Sequence, residues 1–158
     1  MSFDIRVDDL ESAPVRDLLR LHLQGMHANS PPGHSFALDL SGLSHPDVTV
    51  WSAWTGPGLA AIGALKALPD GSGEVKSMRT HPDALRRGAG AAILETIITT
   101  ARARGYWRLS LETGTGPAFE PALALYRKRG FVNGPAFDGY EASDFNQFLH
   151  LPLQPGRS

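Results

Sequence analysis

The stretch "ALRRGAGAAILE", Ala84 to Glu95, sets two arginines and two glycines directly before an apolar run with helical spacing. Glycine is costly inside a helix and is used where the backbone bends sharply or approaches something closely. A helix start also presents unpaired N–H groups and the positive end of the helix dipole, which together favour an anion. The segment therefore predicts an anion-binding turn followed by a helix. Which anion it takes depends on the sequence around it.

The whole chain narrows the choice. Its 158 residues suit a single domain, 1–158, with a real core. Fifteen Lys and Arg against sixteen Asp and Glu give a formal net charge of -1, which does not suggest a nucleic-acid partner. The start, "MSFDIRVDDL", lacks the basic and apolar blocks of a signal peptide, and no apolar run has the length of a membrane span. Without cysteine there is no disulfide framework, thiolate nucleophile or thiolate metal site. A cytoplasmic location with no membrane partner is the expectation.

Along the chain, "FDIRV" alternates as a strand, and Val15, Leu18, Leu19, Leu23 and Met26 fall at helical spacing behind Ser12 as cap. Residues Asn29 to Asp47 read as a long loop with one helical turn around Phe36 to Leu40. Thr49 to Thr80, broken by "TGPG" and "PDGSG", predicts an antiparallel meander of three strands. "HPDALRR" reads as loop. Ile93, Leu94, Ile97, Ile98 and Ala101 form the buried face of the helix that follows the glycines. "RLSLET" alternates as a strand, a helix covers about Phe119 to Arg129, and "FNQFLHLPL" is the last strand. The order β-α-(β)3-α-β-α-β predicts a mixed α+β sheet.

Three phosphate-binding designs place glycines before a helix. A P-loop requires lysine and a hydroxyl after its last glycine, but "AAILE" follows Gly90, so this design fails. A dinucleotide fingerprint requires G-x-G-x-x-G directly after a strand. Gly88 and Gly90 supply its first two glycines, whereas Ile93 occupies the third and "HPDALRR" separates the motif from the strand. Glu112 does imitate the ribose-binding acid, so that design is weakened rather than eliminated. The third is the [QR]-x-x-G-x-[GA] loop, onto which Leu85 to Gly90 map with Leu85 off the pattern. Downstream, "ALALYRKRGF" carries Tyr126, Gly130 and Phe131 in the pattern [AL]-x-x-L-Y-x-[KR]-x-G-F. With these segments the chain resembles the GNAT family of N-acetyltransferases. The stretches "SPP", "ALDLSGL", "VTVWSAW", "GALK", "KSMRT" and "LSLETG" are similar to a bacterial, YsnE-like subgroup of it.

That resemblance implies a central, mostly antiparallel twisted sheet, flanked by helices, whose fourth and fifth strands splay apart. It also implies acetyl-CoA as co-substrate, no metal, and acetyl transfer to a primary amine of a small molecule or protein by direct attack in a ternary complex. A homodimer is the assembly it suggests. The N–H groups of Arg86, Arg87, Gly88, Ala89, Gly90 and Ala91 would hold the pyrophosphate. Met78, Arg79 and Thr80 would flank the pantetheine, with main-chain bonds from Met78 and Thr80 and the Met78 N–H polarising the thioester. Glu74 is the expected general base, and Glu112 is either its rival or an anchor for the substrate ammonium. Tyr126 is the expected general acid for the departing thiolate. His27, His34 and Asp39 are candidate acceptor contacts in or beside the long loop, while the six histidines form no metal signature. A non-catalytic acyl-CoA-binding module of the same fold is the alternative. The presence of both Glu74 and Tyr126 leans against it.

Overall fold

The computed structural model describes residues 3–31 and 38–153. Strands β1 (Asp4–Val7), β2 (Val48–Thr55), β3 (Gly58–Ala67), β4 (Gly73–Thr80), β5 (Arg108–Gly114), β6 (Val132–Gly134) and β7 (Asn146–Pro152) form one sheet. Their spatial order is β1-β2-β3-β4-β5-β7-β6. All neighbours run antiparallel except β4 and β5. Helices α1 (Ala13–Ala28), α2 (Leu40–Leu43), α3 (Ala89–Ala103) and α4 (Glu120–Lys128) complete the mixed α/β fold that the sequence predicts.

The helices form where the pattern places them. In α1 the Ser12 hydroxyl accepts from the Val15 N–H, Pro14 lies in the first turn, and Val15, Leu18 and Leu19 are buried. They pack with Val50, Trp54, Leu59 and Ile62 in a core cluster on the sheet. The predicted stripe of α3 is wholly buried, and it joins Leu65, Val75, Leu109 and Leu111 in the larger cluster. Each fully buried Leu or Ile contributes about 1.5–3 kcal/mol.

Three expectations change. A helical turn lies at Leu40–Leu43, where the Asp39 carboxylate caps it by accepting from the Gly42 N–H at 2.8 Å, while the start of the turn expected around Phe36 to Leu40 lies outside the described residues. The loop reading of "HPDALRR" contains a 3-10 turn at Pro82–Ala84, and another at Pro117–Phe119 precedes α4. Strand β6 was not expected, since three residues are too few to show a period. Asn133 ties it to β7 through a 2.9 Å hydrogen bond to Gln147.

Two features open the sheet. Only Gly73 and Glu74 of β4 pair with β5, opposite Leu109 and Ser110, and beyond them the strands separate. On the other side, Ile62 faces Arg79 and Ala64 faces Lys76, so Ser77 and Met78 together oppose Gly63. This is a β-bulge, which bends and twists the strand that carries it. Ser77 sits at φ 56°, in the left-handed region that non-glycine residues seldom adopt. The bulge needs room at Gly63: a Cβ there would collide with Ile93 and lie 2.6 Å from Met78 Sδ. Gly63→Ala is therefore expected to cost about 1–3 kcal/mol of stability, by forcing Met78 or α3 outward. A urea titration measures the loss, and an unchanged midpoint would contradict this account of the bulge.

Candidate active site

The gap between β4 and β5 opens into two adjoining cavities. The inner one, roughly 140 Å³, is lined by Glu74, Lys76 and Ser77 of β4 and by Leu111, Glu112 and Thr113 at β5. The α1 residues His22, Gly25 and Met26, with Asn29 at the helix end, close it from one side. The outer cavity, roughly 330 Å³, runs past Thr80, Pro82, Leu85 and Gly90 to Pro121 and Leu125 of α4. Met78, Arg79, Ala118, Ala122 and Tyr126 line both. Tyr126 thus stands where the two cavities meet.

The glycine loop before α3 lies at the outer end. Arg86 has φ 65° and Gly88 φ 88°, so the chain turns twice through left-handed backbone before α3. Gly88 is the N-cap, and no side chain caps α3. The first-turn N–H groups are left for another acceptor, unlike those of α1 and α2. Arg86, Arg87, Gly88 and Ala91 are exposed, and Ala89 is buried beneath them. A Cβ on Gly88 would meet nothing within 4 Å, so the glycine answers to its φ and not to crowding. These features fit a phosphate-bearing ligand.

The two carboxylates differ sharply. Glu74 is only 2% exposed, not the exposed strand-start acid that its place beside a turn suggests. It accepts from the Tyr140 hydroxyl at 2.6 Å and from Lys76 Nζ at 3.1 Å, while Lys76 Nζ also donates to the Tyr140 oxygen at 3.0 Å. Burial, followed by the Glu74 charge, pushes the Tyr140 phenol far up. Glu112, half-buried at the cavity wall, makes no such closed group. Burial raises its carboxyl to about 7; Lys76 pulls it down, and Glu74 pushes it up again. Tyr126 is buried, which also pushes its phenol up, and its ring packs 5.7 Å from that of Phe131.

Other candidates separate. His27 is exposed on α1 and lines neither cavity, and Asp39 is exposed and occupied in capping α2. The rotation of α1 turns His27 from these two cavities, and the Asp39 carboxylate is engaged with the Gly42 N–H. His34 lies outside the described residues. Ser110, on the face of β5 shared with Glu112, does not reach the cleft. It is buried with its hydroxyl 2.8 Å from His150 Nδ1.

Two contributors were missed. Lys76 follows Glu74 by two residues in a strand, the spacing that puts both on one face. His22 follows buried Leu18 by four on α1 and is itself 6% exposed. Burial, aided by the Arg79 charge, lowers its imidazole to about 4. Among the described residues no cluster of three or more His, Asp or Glu could hold a metal ion. No helix there is long and apolar enough to cross a membrane.

The fold and cleft are those of a known enzyme class. The family model of the acetyltransferase (GNAT) family matches residues 15–131, and the chain belongs to that family. It is 47% identical over 151 residues to the uncharacterized N-acetyltransferase YedL of Escherichia coli K12, covering 96% of this chain and 95% of that one. It is likewise 47% identical over 149 residues to the uncharacterized N-acetyltransferase YsnE of Bacillus subtilis 168, covering 94% and 99%. Among solved structures, a Bacillus subtilis acetyltransferase in complex with CoA superposes with a TM-score of 0.72 at 18% identity, over 96% of this chain and 99% of that one. The protein is a GNAT acyltransferase.

The buried ion pair yields a thermodynamic expectation. Lys76→Met leaves the Glu74 charge buried without its ammonium and is expected to cost about 3–5 kcal/mol. Glu74→Gln combined with Lys76→Met should recover most of that loss. Chemical denaturation of the single and double variants measures the coupling, and additive losses would show that the two side chains do not support each other.

Proposed function

We propose that this acyltransferase moves acetyl from acetyl-CoA to a primary amine of a small molecule or protein, by direct attack in a ternary complex. The carrying observation is the pair of cavities meeting at Tyr126, one leading to the uncapped start of α3 and the other to a carboxyl poised near neutrality. Acetyl-CoA as co-substrate supplies the activated acyl group. The N–H groups of residues 86–91 take its pyrophosphate, helped by the dipole of α3. The edge of β4 left unpaired beyond Glu74 takes the pantetheine through the main chain of Met78 and Thr80, and the Met78 N–H faces the carbonyl oxygen.

Glu112 acts as the base. A general base works best with a pKa near the working pH, and burial brings this carboxyl to about 7. Glu74 is already engaged by Tyr140 and Lys76. Its task is to hold Lys76, whose charge keeps Glu112 from rising further. The amine nitrogen bonds to the acyl carbon, the carbon–sulfur bond breaks, the amine proton goes to Glu112, and Tyr126 gives its proton to the departing sulfur. Burial weakens the Tyr126 phenol as an acid, but the same dry surroundings raise the basicity of the thiolate that it serves.

The test is CoA release over a panel of primary amines as a function of pH. Glu112 must be ionised to accept a proton, so the rate should fall as pH drops below about 7. Glu112→Gln should abolish that limb and lower kcat by about 10²–10⁴-fold. An acid limb that persists in Glu112→Gln and vanishes in Glu74→Gln would reassign the base. For the outer end, Gly88→Val is expected to weaken acetyl-CoA binding about tenfold or more, since φ 88° is closed to a β-branched residue. Calorimetric titration of the folded variant checks this, and unchanged affinity would remove the loop from the binding site.

A further inference from the structure

The acceptor end of the cleft holds a cation that the chemistry above does not use. Arg79 lies on β4 just past the bulge, and its guanidinium packs against Gly25 of α1, where a Cβ would lie 3.1 Å from one terminal nitrogen. It is half-buried and lines both cavities. No carboxylate of the described residues lies within ion-pair distance of it. The residues outside the described ranges contain no Asp or Glu side chain. Lys76, by contrast, is already shared between Glu74 and Tyr140. Arg79 is therefore the cation lining the inner cavity that lacks a counter-charge among the described residues.

A partly desolvated guanidinium with no anion forgoes the bidentate pairing that its geometry suits. Beside it, His22 lines the same cavity as a buried imidazole whose Nδ1 has no hydrogen-bond partner among the described residues. The opposite wall carries Glu112. The cavity thus has an anionic wall for an amine and a cationic, imidazole-flanked wall for an oxyanion.

We propose that Arg79, flanked by His22, is a carboxylate subsite, and that the acceptor is a small amine carrying its own carboxylate, in the manner of an amino acid, rather than a polyamine. This rests on the reading of the inner cavity as the acceptor site. The acceptor carboxylate pairs with the Arg79 guanidinium, which turns its amine toward Glu112. Gly25 keeps the space in which the arginine lies.

The experiment compares primary amino acids with their carboxamides, which keep the amine and lose the charge. Two readouts are taken on the full chain: kcat/KM for CoA release, and calorimetric binding to the CoA-loaded protein. The expected result is a preference for the acids of about 10- to 100-fold, the scale of a charge-assisted contact. Arg79→Met should collapse it toward one, chiefly through acceptor KM, and Arg79→Lys should retain part of it. Affinity for CoA should stay within about twofold in both variants, because the main chain of residue 79 is kept. Equal handling of acids and carboxamides in both readouts overturns the subsite, even where acetyl transfer to amines is confirmed. A fall in CoA affinity with the acid preference intact also overturns it, and assigns the guanidinium to the co-substrate. If the acids bind preferentially through Arg79 but no amine is acetylated, the subsite stands and the transfer reading falls.

Discussion

The cleft depends on a mismatch between two strand pairings. β4 must stay in register with β3 along its length, yet part from β5 after Glu74. A regular strand cannot do both, because a pleated ladder carries its neighbours along at a fixed spacing of about 4.8 Å. The bulge of Ser77 and Met78 opposite Gly63 resolves the conflict by adding one residue to β4 where the strands diverge. Its cost is local: a left-handed serine and a glycine within the core strand. The burial of α3 against the sheet holds the strained geometry in place.

Opening a sheet exposes polar groups in a place that is otherwise dry, and the charges around the gap follow from that. Glu74 lies at the last paired position, where solvent is scarce, and it is accompanied by an ammonium and a phenol brought from β4 and from the segment before β7. Glu112 lies farther along, past the last β4–β5 pair, and is half-buried. The same burial that would cripple an isolated charge leaves its carboxyl near neutrality, because Lys76 offsets part of the effect. The two acids stand on neighbouring strands, but in different environments.

What the sequence made legible was local. The glycines before α3, the apolar stripe of that helix and the tyrosine of α4 each announce themselves within a dozen residues, and the fold class followed from their order. The bulge could not be read, because it is a property of the pairing between two strands, and Ser77 lacks the glycine that usually marks a left-handed position. The Glu74–Tyr140 bond joins residues 66 apart, beyond the reach of any period. His27 and Asp39 show the same limit of local reading. Five residues separate His22 from His27, a rotation of about 140° around a helix, so the histidine that faces the cleft and the one that faces solvent look alike in the text. Asp39 looked available as an acceptor contact because a cap is invisible until the helix it caps is located.

The two ends of the cleft are made of different material, and this decides what can vary. The outer end contributes backbone: N–H groups at a helix start, a strand edge without a partner, and glycine where φ demands it. Backbone is retained whatever side chains surround it, so such an end tolerates wide change in sequence. The inner end is made of side chains from β4, β5 and α1, and on the proposed reading these choose the acceptor. They are not equally free to change. Glu74, Lys76 and Tyr140 satisfy one another, so replacing one strands the other two in a buried setting. Arg79 and His22 belong to no such closed group, and either can be exchanged without orphaning a buried charge. On that reading, acceptor choice can shift where α1 meets Arg79 of β4 while Glu112, the buried ion pair and the outer end stay as they are.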